Sequence, residues 1–151
     1  MSSLVAGNTG SLFAIASATG VITLDNTLDY ETAQSHHLKI EARDLSGSGP
    51  FSVTCDLTVH VTDKNEHDPA FASATATTTV SEDSKVGKVV YTQAATDKDF
   101  GQKVSYSIES QTPTGYFGVN SNGGVYIVKS LDYETAKSHT VKVKATDNDA
   151  H

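Results

Sequence analysis

Acidic side chains occur in closely spaced groups along this sequence, and these groups are the residues best suited to do chemistry. Asp29 and Glu31 stand two residues apart, and so do Asp97 and Asp99. A further acidic segment just before Pro69 contains Asp63, Asn65, Glu66 and Asp68. Carboxylates at positions i and i+2 of a turning backbone can converge on one cation. Calcium prefers six to eight hard oxygen ligands, which such groups supply without thiols or imidazoles.

The elements that must position these acids are repeated along the chain. Residues 28–36 and residues 131–139 agree at eight of nine positions, at an offset of 103 residues. A block around Phe13 and Gly20 is echoed upstream of the second copy, around Phe117 and Gly124. A third block, residues 40–44, is echoed by residues 143–147. The three blocks occur in the same order in both copies, and this indicates a tandem array of repeats.

The local pattern predicts β-structure almost throughout. Apolar and polar residues alternate in four stretches, around Val53–Val61, Val89–Tyr91, Val104–Ile108 and Val141–Val143. Turn-forming segments separate them at residues 46–50, 97–101 and 120–124. We interpret residues 71–80 as an opening strand because they are β-prone. Short strands with frequent turns predict an all-β fold built as a sandwich of antiparallel sheets.

Bulk properties exclude several classes of function. The net charge of −7 argues against nucleic acid or anionic lipid as the main partner, since both require basic patches. No apolar run approaches the 18 residues typical of a membrane span. The single cysteine, Cys55, precludes an intramolecular disulfide and is predicted to be a small core residue. The first residues lack the features of a signal peptide, which suggests that the chain is a piece of a larger protein.

These motifs together resemble the signature of the cadherin superfamily, in particular long cadherins of the protocadherin or Fat type. The family order L-D-R-E, A-x-D and D-x-N-D-N-x-P is matched by residues 28–31, 42–44 and 61–69. The second repeat continues with the equivalents of three further family motifs, at Glu82, at residues 95–99 and at residues 131–134, and closes with Ala145-Thr-Asp147. The resemblance implies an immunoglobulin-like Greek-key β-sandwich in tandem repeats. It divides the chain into residues 1–69, the last four strands of one repeat plus a linker, and residues 70–151, a second repeat without its last strand.

The resemblance also implies a calcium junction between the repeats that holds up to three Ca2+ ions. The ion nearest the second repeat is expected to be the best formed. The first repeat would supply Asp29, Glu31 and Asp63, the linker Asn65, Glu66 and the carbonyl of His67, and the second repeat Asp97, Asp99 and Asp147. The side chains of Glu82, Asp132 and Glu134 resemble half of a following junction, and Asp44 the distal ligand of a preceding one.

Three departures from the family pattern bear on this junction. Glu66 and His67 stand where the family usually has Asp-Asn, and Tyr30 and Tyr133 replace the usual Arg between the two acids. The first repeat begins after the position equivalent to Glu82, a residue that normally bridges the two ions nearest the first repeat. A sandwich without all of its strands would expose sheet edges, so we expect the second repeat to fold and the first to be partly ordered or completed by another chain.

The function implied is that of a calcium-stiffened repeat pair in an extracellular, plasma-membrane adhesion protein. Its partner would be a cadherin-type protein, with homophilic binding, and its membrane anchor would lie outside this segment. A non-adhesive calcium-stiffened spacer of a secreted, matrix or bacterial surface protein is the alternative. An enzyme is the third reading, but no catalytic motif is present. The histidines that could act as bases are expected at exposed positions: His36, His37, His60 and His139.

Overall fold

The structure is a computed structural model, and it describes residues 1–44 and 51–147. The predicted turn at residues 46–50 therefore lies outside the described residues. The chain forms two compact units, Met1–Lys64 and Asn65–His151. Residues 65–69, which the sequence interpretation assigned to the first repeat and its linker, group with the second unit. Among the described residues, no helix has the length and apolarity needed to cross a membrane.

Within residues 1–44 and 51–64, the first unit has five strands in two antiparallel sheets. A three-stranded sheet has the order β1 (Ser2–Ala6), β4 (Ser35–Arg43), β5 (Ser52–His60), and a hairpin joins β2 (Phe13–Ile15) to β3 (Ile22–Leu24). Leu38 on β4 and Phe13 on β2 form its buried core. The alternation predicted for residues 53–61 therefore does form a strand.

As far as the structure describes it, to residue 147, the second unit has seven strands, all paired antiparallel. They are β6 (Ala70–Phe71), β7 (Val89–Thr92), β8 (Ala95–Thr96), β9 (Ser105–Thr112), β10 (Phe117–Val119), β11 (Gly124–Ile127) and β12 (Thr140–Thr146). The sheets have the orders β10-β11-β7, β12-β9 and β6-β8. The core consists of Phe117, Val125 and Ile127, against which the half-buried Val80 and Val90 pack. The predicted all-β fold is confirmed.

The turn between β10 and β11 shows how sequence fixes one of these hairpins. The Asn120 side-chain oxygen accepts hydrogen bonds from the backbone N–H groups of Asn122, at 3.0 Å, and Gly124, at 2.9 Å. Gly123 adopts φ +75°, a left-handed conformation that favours glycine, and a Cβ there would collide with the carbonyl oxygen of Gln93. The turn predicted at residues 120–124 is confirmed.

Two sequence predictions about the periphery are wrong. Of residues 71–80 only Phe71 belongs to a strand. Two side-chain hydrogen bonds connect the rest of the segment to its neighbours: Gln93 Nε2 donates to the Ser73 carbonyl at 3.2 Å, and Thr78 Oγ1 donates to the Val90 carbonyl at 3.4 Å. Cys55, predicted in the core, is exposed. It lies on β5, whose side chains are exposed along almost the whole strand.

The histidines divide into two kinds. His37 and His60 are exposed, as predicted. His36 and His139 are half-buried instead, because each packs on the aromatic residue at the start of a neighbouring hairpin strand. The ring of His36 meets Phe13 edge-on at a centroid distance of 5.5 Å, and that of His139 meets Phe117 at 5.3 Å. These two histidines are packing residues of the repeat.

Candidate metal centre

A short strand pair brings the acidic segment before Pro69 to the second unit's acidic loop. Strand β6 pairs antiparallel with β8, with Ala70 opposite Thr96. In an antiparallel pair, the residues that precede one strand lie beside those that follow the other. Residues 65–67 therefore lie next to residues 97–99, which are about thirty positions away in sequence.

Asp99 is the centre of this arrangement, and it is 5% exposed. Its Oδ2 accepts two backbone hydrogen bonds, from the N–H of Glu66 at 3.0 Å and from the N–H of His67 at 2.8 Å. Such bonds to a charged acceptor are stronger than those between neutral groups. The carboxylate therefore holds the segment before β6 against the loop after β8.

Asp97 lies beside it, and each of the two carboxylates has one buried oxygen that accepts no hydrogen bond. Asp97 Oδ1 accepts the backbone N–H of Asp99 at 3.0 Å. Among the described residues, Asp97 Oδ2 and Asp99 Oδ1 are buried and have no hydrogen-bond partner. Buried charged oxygens are costly unless a cation or a donor satisfies them. Both atoms are hard oxygen donors, so they fit a hard divalent cation better than a soft one.

Two further oxygen-bearing side chains of the second unit, those of Asn65 and Asp147, are linked to this pair through the backbone, because Asn65 directly precedes Glu66, whose N–H binds Asp99. The Nδ2 of Asn65 donates to Oδ2 of Asp147 at 3.1 Å, across 82 positions of sequence. Asp147 follows the end of β12, and both side chains are half-buried. This bond orients the Asn65 amide so that its nitrogen faces a carboxylate. The unit therefore gathers three aspartates and one amide from three separate segments.

In the first unit, Asp29 is primarily a turn residue. Its carboxylate accepts the Thr32 hydroxyl at 2.8 Å and the Thr32 backbone N–H at 3.1 Å. These bonds to Thr32 lower the pKa of Asp29 below its ordinary value. Glu31 is exposed, and one of its carboxylate oxygens lies within 4.8 Å of one from Asp63. Asp63 is half-buried, shortly after the end of β5.

The second repeat builds the same turn at its own copy of the motif. The Asp132 carboxylate accepts the Thr135 hydroxyl at 2.6 Å, and this bond is the main reason its pKa is lowered. The backbone N–H of Ala136 donates to the Asp132 carbonyl at 2.9 Å, as Ala33 does to Asp29. Sequence reasoning overlooked the threonine, although it stands at the same place in both copies of the motif.

A second acidic group of the second unit is exposed. One carboxylate oxygen each from Glu82, Asp132 and Glu134 lies within 4.8 Å of the other two. Oε2 of Glu82 also accepts the backbone N–H of Tyr133 at 2.6 Å. The structure thus brings together the three residues that resemble half of a following junction.

The predicted ligands are placed as follows. The second unit brings together those assigned to it and to the linker, namely Asn65, Glu66, His67, Asp97, Asp99 and Asp147. The first unit contains the other three, Asp29, Glu31 and Asp63. One feature went unpredicted: Glu66 and His67 contribute backbone N–H groups, whereas the sequence indicated a carboxylate and a carbonyl. Their role as calcium ligands stays a prediction.

Comparison with known proteins agrees with this fold and these motifs. The family model described as "Cadherin domain" matches residues 1–62 and 76–151. Over 148 residues the chain is 35% identical to human Protocadherin Fat 4, a match that covers 96% of this chain and 3% of that protein. The chain therefore spans only a small part of the length of such relatives.

Solved structures give the same result. "Protocadherin gammaB7 EC3-6 cis-dimer structure" superposes with a TM-score of 0.88 at 28% identity, covering 99% of this chain and 37% of that one. Mouse Cadherin-23 EC22-24 superposes with a TM-score of 0.86 at 27% identity, covering 97% of this chain and 47% of that one. The Greek-key sandwich of the cadherin type is thereby confirmed, and so is the extracellular, cell-surface location, at the level of the family. This chain belongs to the cadherin family.

Proposed function

We propose that this chain is a calcium-binding repeat pair of a cell-surface adhesion protein, and that calcium binds at the acidic group of the second unit. The observation that carries the proposal is the pair of buried carboxylate oxygens, Asp97 Oδ2 and Asp99 Oδ1, that accept no hydrogen bond. Burying such oxygens costs free energy unless a cation or a hydrogen-bond donor satisfies them. All of the candidate ligand atoms are oxygens, which suits calcium.

The residues of the second unit that would hold the ion are Asn65, Asp97, Asp99 and Asp147. The first unit would add Asp29, Glu31 and Asp63, and the linker would add Glu66 and the carbonyl of His67. Up to three ions would bind, with the ion nearest the second unit the most completely coordinated. Because Asp29 already accepts two bonds from Thr32, it would have to use its remaining lone pairs.

The proposed role of the ion is mechanical. Carboxylates that gather near the connection between two repeats repel one another when no cation is present, and this repulsion favours a flexible connection. A divalent ion neutralises them, and ligands drawn from both repeats then restrict the angle between the repeats. Extracellular calcium modules bind in the range of about 10⁻⁴–10⁻³ M, close to extracellular calcium levels. The segment would therefore be stiff outside the cell. No catalytic step is part of this function.

The proposed partner is another cadherin-type protein, bound homophilically. One solved relative is described as a cis-dimer, which supports association between copies. A non-adhesive spacer would bind the same ions without such a partner. Aggregation of beads coated with the chain, compared with and without calcium, separates the two: calcium-dependent clustering supports adhesion, and dispersed beads with intact calcium binding support the spacer.

Calorimetric calcium titration tests the site directly. Asp97→Asn removes one charge but keeps an oxygen for the Asp99 backbone N–H. Asp83→Asn, at an exposed position outside the group, is the matched control because it changes the net charge equally. We expect saturable binding by the unmodified chain and by the control, and about tenfold or greater weakening in Asp97→Asn. Equal affinity in all three proteins would refute the assignment.

A further inference from the structure

Two exposed histidines lie on the outward face of the larger sheet of the first unit. Leu38 on β4 is 1% exposed and belongs to the core, so its neighbour His37 projects from the opposite, solvent side of the strand. In the register of β4 and β5, His37 lies opposite Thr58, and His60 lies opposite Ser35. Side chains that are directly opposite, or two residues apart on one strand, share a face of the sheet. His37 and His60 therefore lie on the same outward face.

A hydrogen bond holds the ring of His37 beside strand β5. Its Nδ1 lies 3.0 Å from Oγ1 of Thr58, so the ring leans across from β4. Thr58 and His60 are two residues apart on β5, which separates their Cα atoms by about 7 Å. The ring of His37 and the side chain of His60 are therefore neighbours on this face. Because the Thr58 hydroxyl engages Nδ1, Nε2 is the nitrogen of His37 that is left to bind a ligand.

Comparison of the two repeats shows that the fold does not require His37. Residues 35–37 read Ser-His-His, and the equivalent residues 138–140 read Ser-His-Thr. The first histidine of each copy packs on the phenylalanine at the start of its hairpin. The second histidine occurs only in the first repeat, where it is exposed, and the exposed Thr140 takes its place in the second. Packing of the repeat therefore does not account for the imidazole of His37.

We propose that His37 and His60 form a binding site for one transition-metal dication of the Zn2+ class. Neutral imidazole is a good ligand for Zn2+, Cu2+ and Ni2+, whereas calcium prefers carboxylate and carbonyl oxygens. One ion would bind Nε2 of His37 and a ring nitrogen of His60, each at about 2.0–2.1 Å. The bond to Thr58 would orient the His37 ring, as hydrogen bonds to the second ring nitrogen do at zinc sites in general. Water would complete the coordination shell.

The charges on this face favour the side of His37 on which His60 lies. On the other side, Asp56 is two residues from Thr58 and lies directly opposite Lys39. The ammonium group of Lys39 repels a divalent cation at that position. The site is also separate from the candidate metal centre, because none of its residues belongs to that group. Zinc binding therefore does not depend on the proposed calcium function.

A zinc titration of the full chain, followed by NMR of the imidazole signals, tests the site residue by residue. Calcium at about 10 mM is present throughout so that it competes with zinc for the carboxylates. The signals of His37 and His60 are expected to shift together and to saturate at the same zinc concentration. The remaining histidines of the chain act as internal controls. Calorimetry under the same conditions gives the dissociation constant.

Substitutions at exposed strand positions locate the ligands without disturbing the core. His37→Gln and His60→Gln are each expected to weaken zinc affinity about tenfold or more, because loss of an outer-shell hydrogen bond alone costs about 10–100-fold. The double variant should bind about as weakly as either single variant, because one ion needs both rings.

Asp56→Asn is the control on the other side of His37. It is expected to weaken binding by less than about threefold at about 0.15 M salt, because salt screens a charge at that distance. Equal weakening by Asp56→Asn and His60→Gln would overturn the proposal, since a carboxylate would then be the second ligand. Separate saturation of the two histidines, or the absence of saturable shifts at either ring, would also overturn it.

Discussion

Replacing Asp99 with asparagine should have opposite consequences with and without calcium. The asparagine side chain has nearly the same shape and retains one oxygen that can accept the backbone N–H groups of Glu66 and His67. Its amide nitrogen replaces an oxygen of the buried carboxylate. Without calcium, the substitution removes a buried negative charge next to Asp97, so Asp99→Asn should be as stable as the unmodified chain, or more stable.

With calcium the order should reverse, and the magnitude can be estimated. At 10 mM calcium and a dissociation constant of about 10⁻⁴ M, binding adds about 2.7 kcal/mol to the free energy of unfolding. For a unit of fewer than 100 residues this raises Tm by about 10–20 °C. Removing one unit charge from about 2.4 Å costs about 3 kcal/mol of attraction to a divalent ion even at the dielectric constant of water.

The retained amide oxygen recovers part of that loss, so we expect calcium affinity to fall about 100-fold. At 10 mM calcium the stabilisation then drops to about 0.4 kcal/mol, and the calcium-dependent rise in Tm drops to about 2–3 °C. The difference between the two proteins is therefore large enough for an ordinary thermal melt.

Tyrosine fluorescence is the natural assay, because the chain has no tryptophan and five of its six tyrosines lie in the second unit. Melts are recorded in chelator and in 10 mM calcium, with Asp83→Asn as the control of equal charge change. The reasoning is refuted if Asp99→Asn keeps the full calcium-dependent rise. It is also refuted if Asp99→Asn melts well below the unmodified chain in chelator, since the buried carboxylate would then be stabilising without an ion.

Two further predictions concern the repeats themselves. Ile127→Ala should lower the free energy of unfolding of the second unit by about 2–5 kcal/mol, because Ile127 is fully buried. Leu24→Ala should lower that of the first unit by less than about 1 kcal/mol, because Leu24 is exposed. Urea denaturation measures both values, and equal losses would contradict the difference in burial. Because the Thr135 hydroxyl lowers the pKa of Asp132, this turn stabilises the second unit above the ordinary aspartate pKa, and that contribution is lost as pH falls below about 4 through the lowered pKa. Thr135→Val should therefore reduce the loss of stability between pH 7 and pH 3, measured by urea midpoints, and an unchanged pH dependence would contradict it.

Repetition and motif order allowed much of the fold to be predicted. The alternating residues around Val89–Tyr91 and Val141–Val143 form β7 and β12, because a period of two places one side of a strand on the core. The acids Asp97 and Asp99 were singled out by spacing alone. Their environment was not predictable, because the bonds from Glu66 and His67 arise from the pairing of β6 with β8.

The errors have a common physical cause. Cys55 and its neighbours on β5 have the alternation of a half-buried strand, yet burial requires a second layer, and alternation cannot reveal whether that layer is present. The same limit applies to His36 and His139, whose polarity suggested exposure although each packs on a phenylalanine. A side chain is buried only when a second element packs on it, and a single window of sequence describes only one of the two elements.

The sequence by itself determined that the chain is an all-β tandem repeat with acidic side chains clustered in loops, because strand period, turn residues and acid spacing are local properties. Only the tertiary structure decided that Asp97 and Asp99 each bury an oxygen without a hydrogen-bond partner, and which apolar side chains are exposed. Both depend on contacts between segments far apart in the chain, such as the 82 positions between Asn65 and Asp147. Leu24 and Ile127 each lie opposite the phenylalanine of their hairpin, yet Leu24 is exposed and Ile127 is buried. Ile127 lies on β11, which pairs with β7 as well as β10, whereas among the described residues β3 pairs with β2 alone.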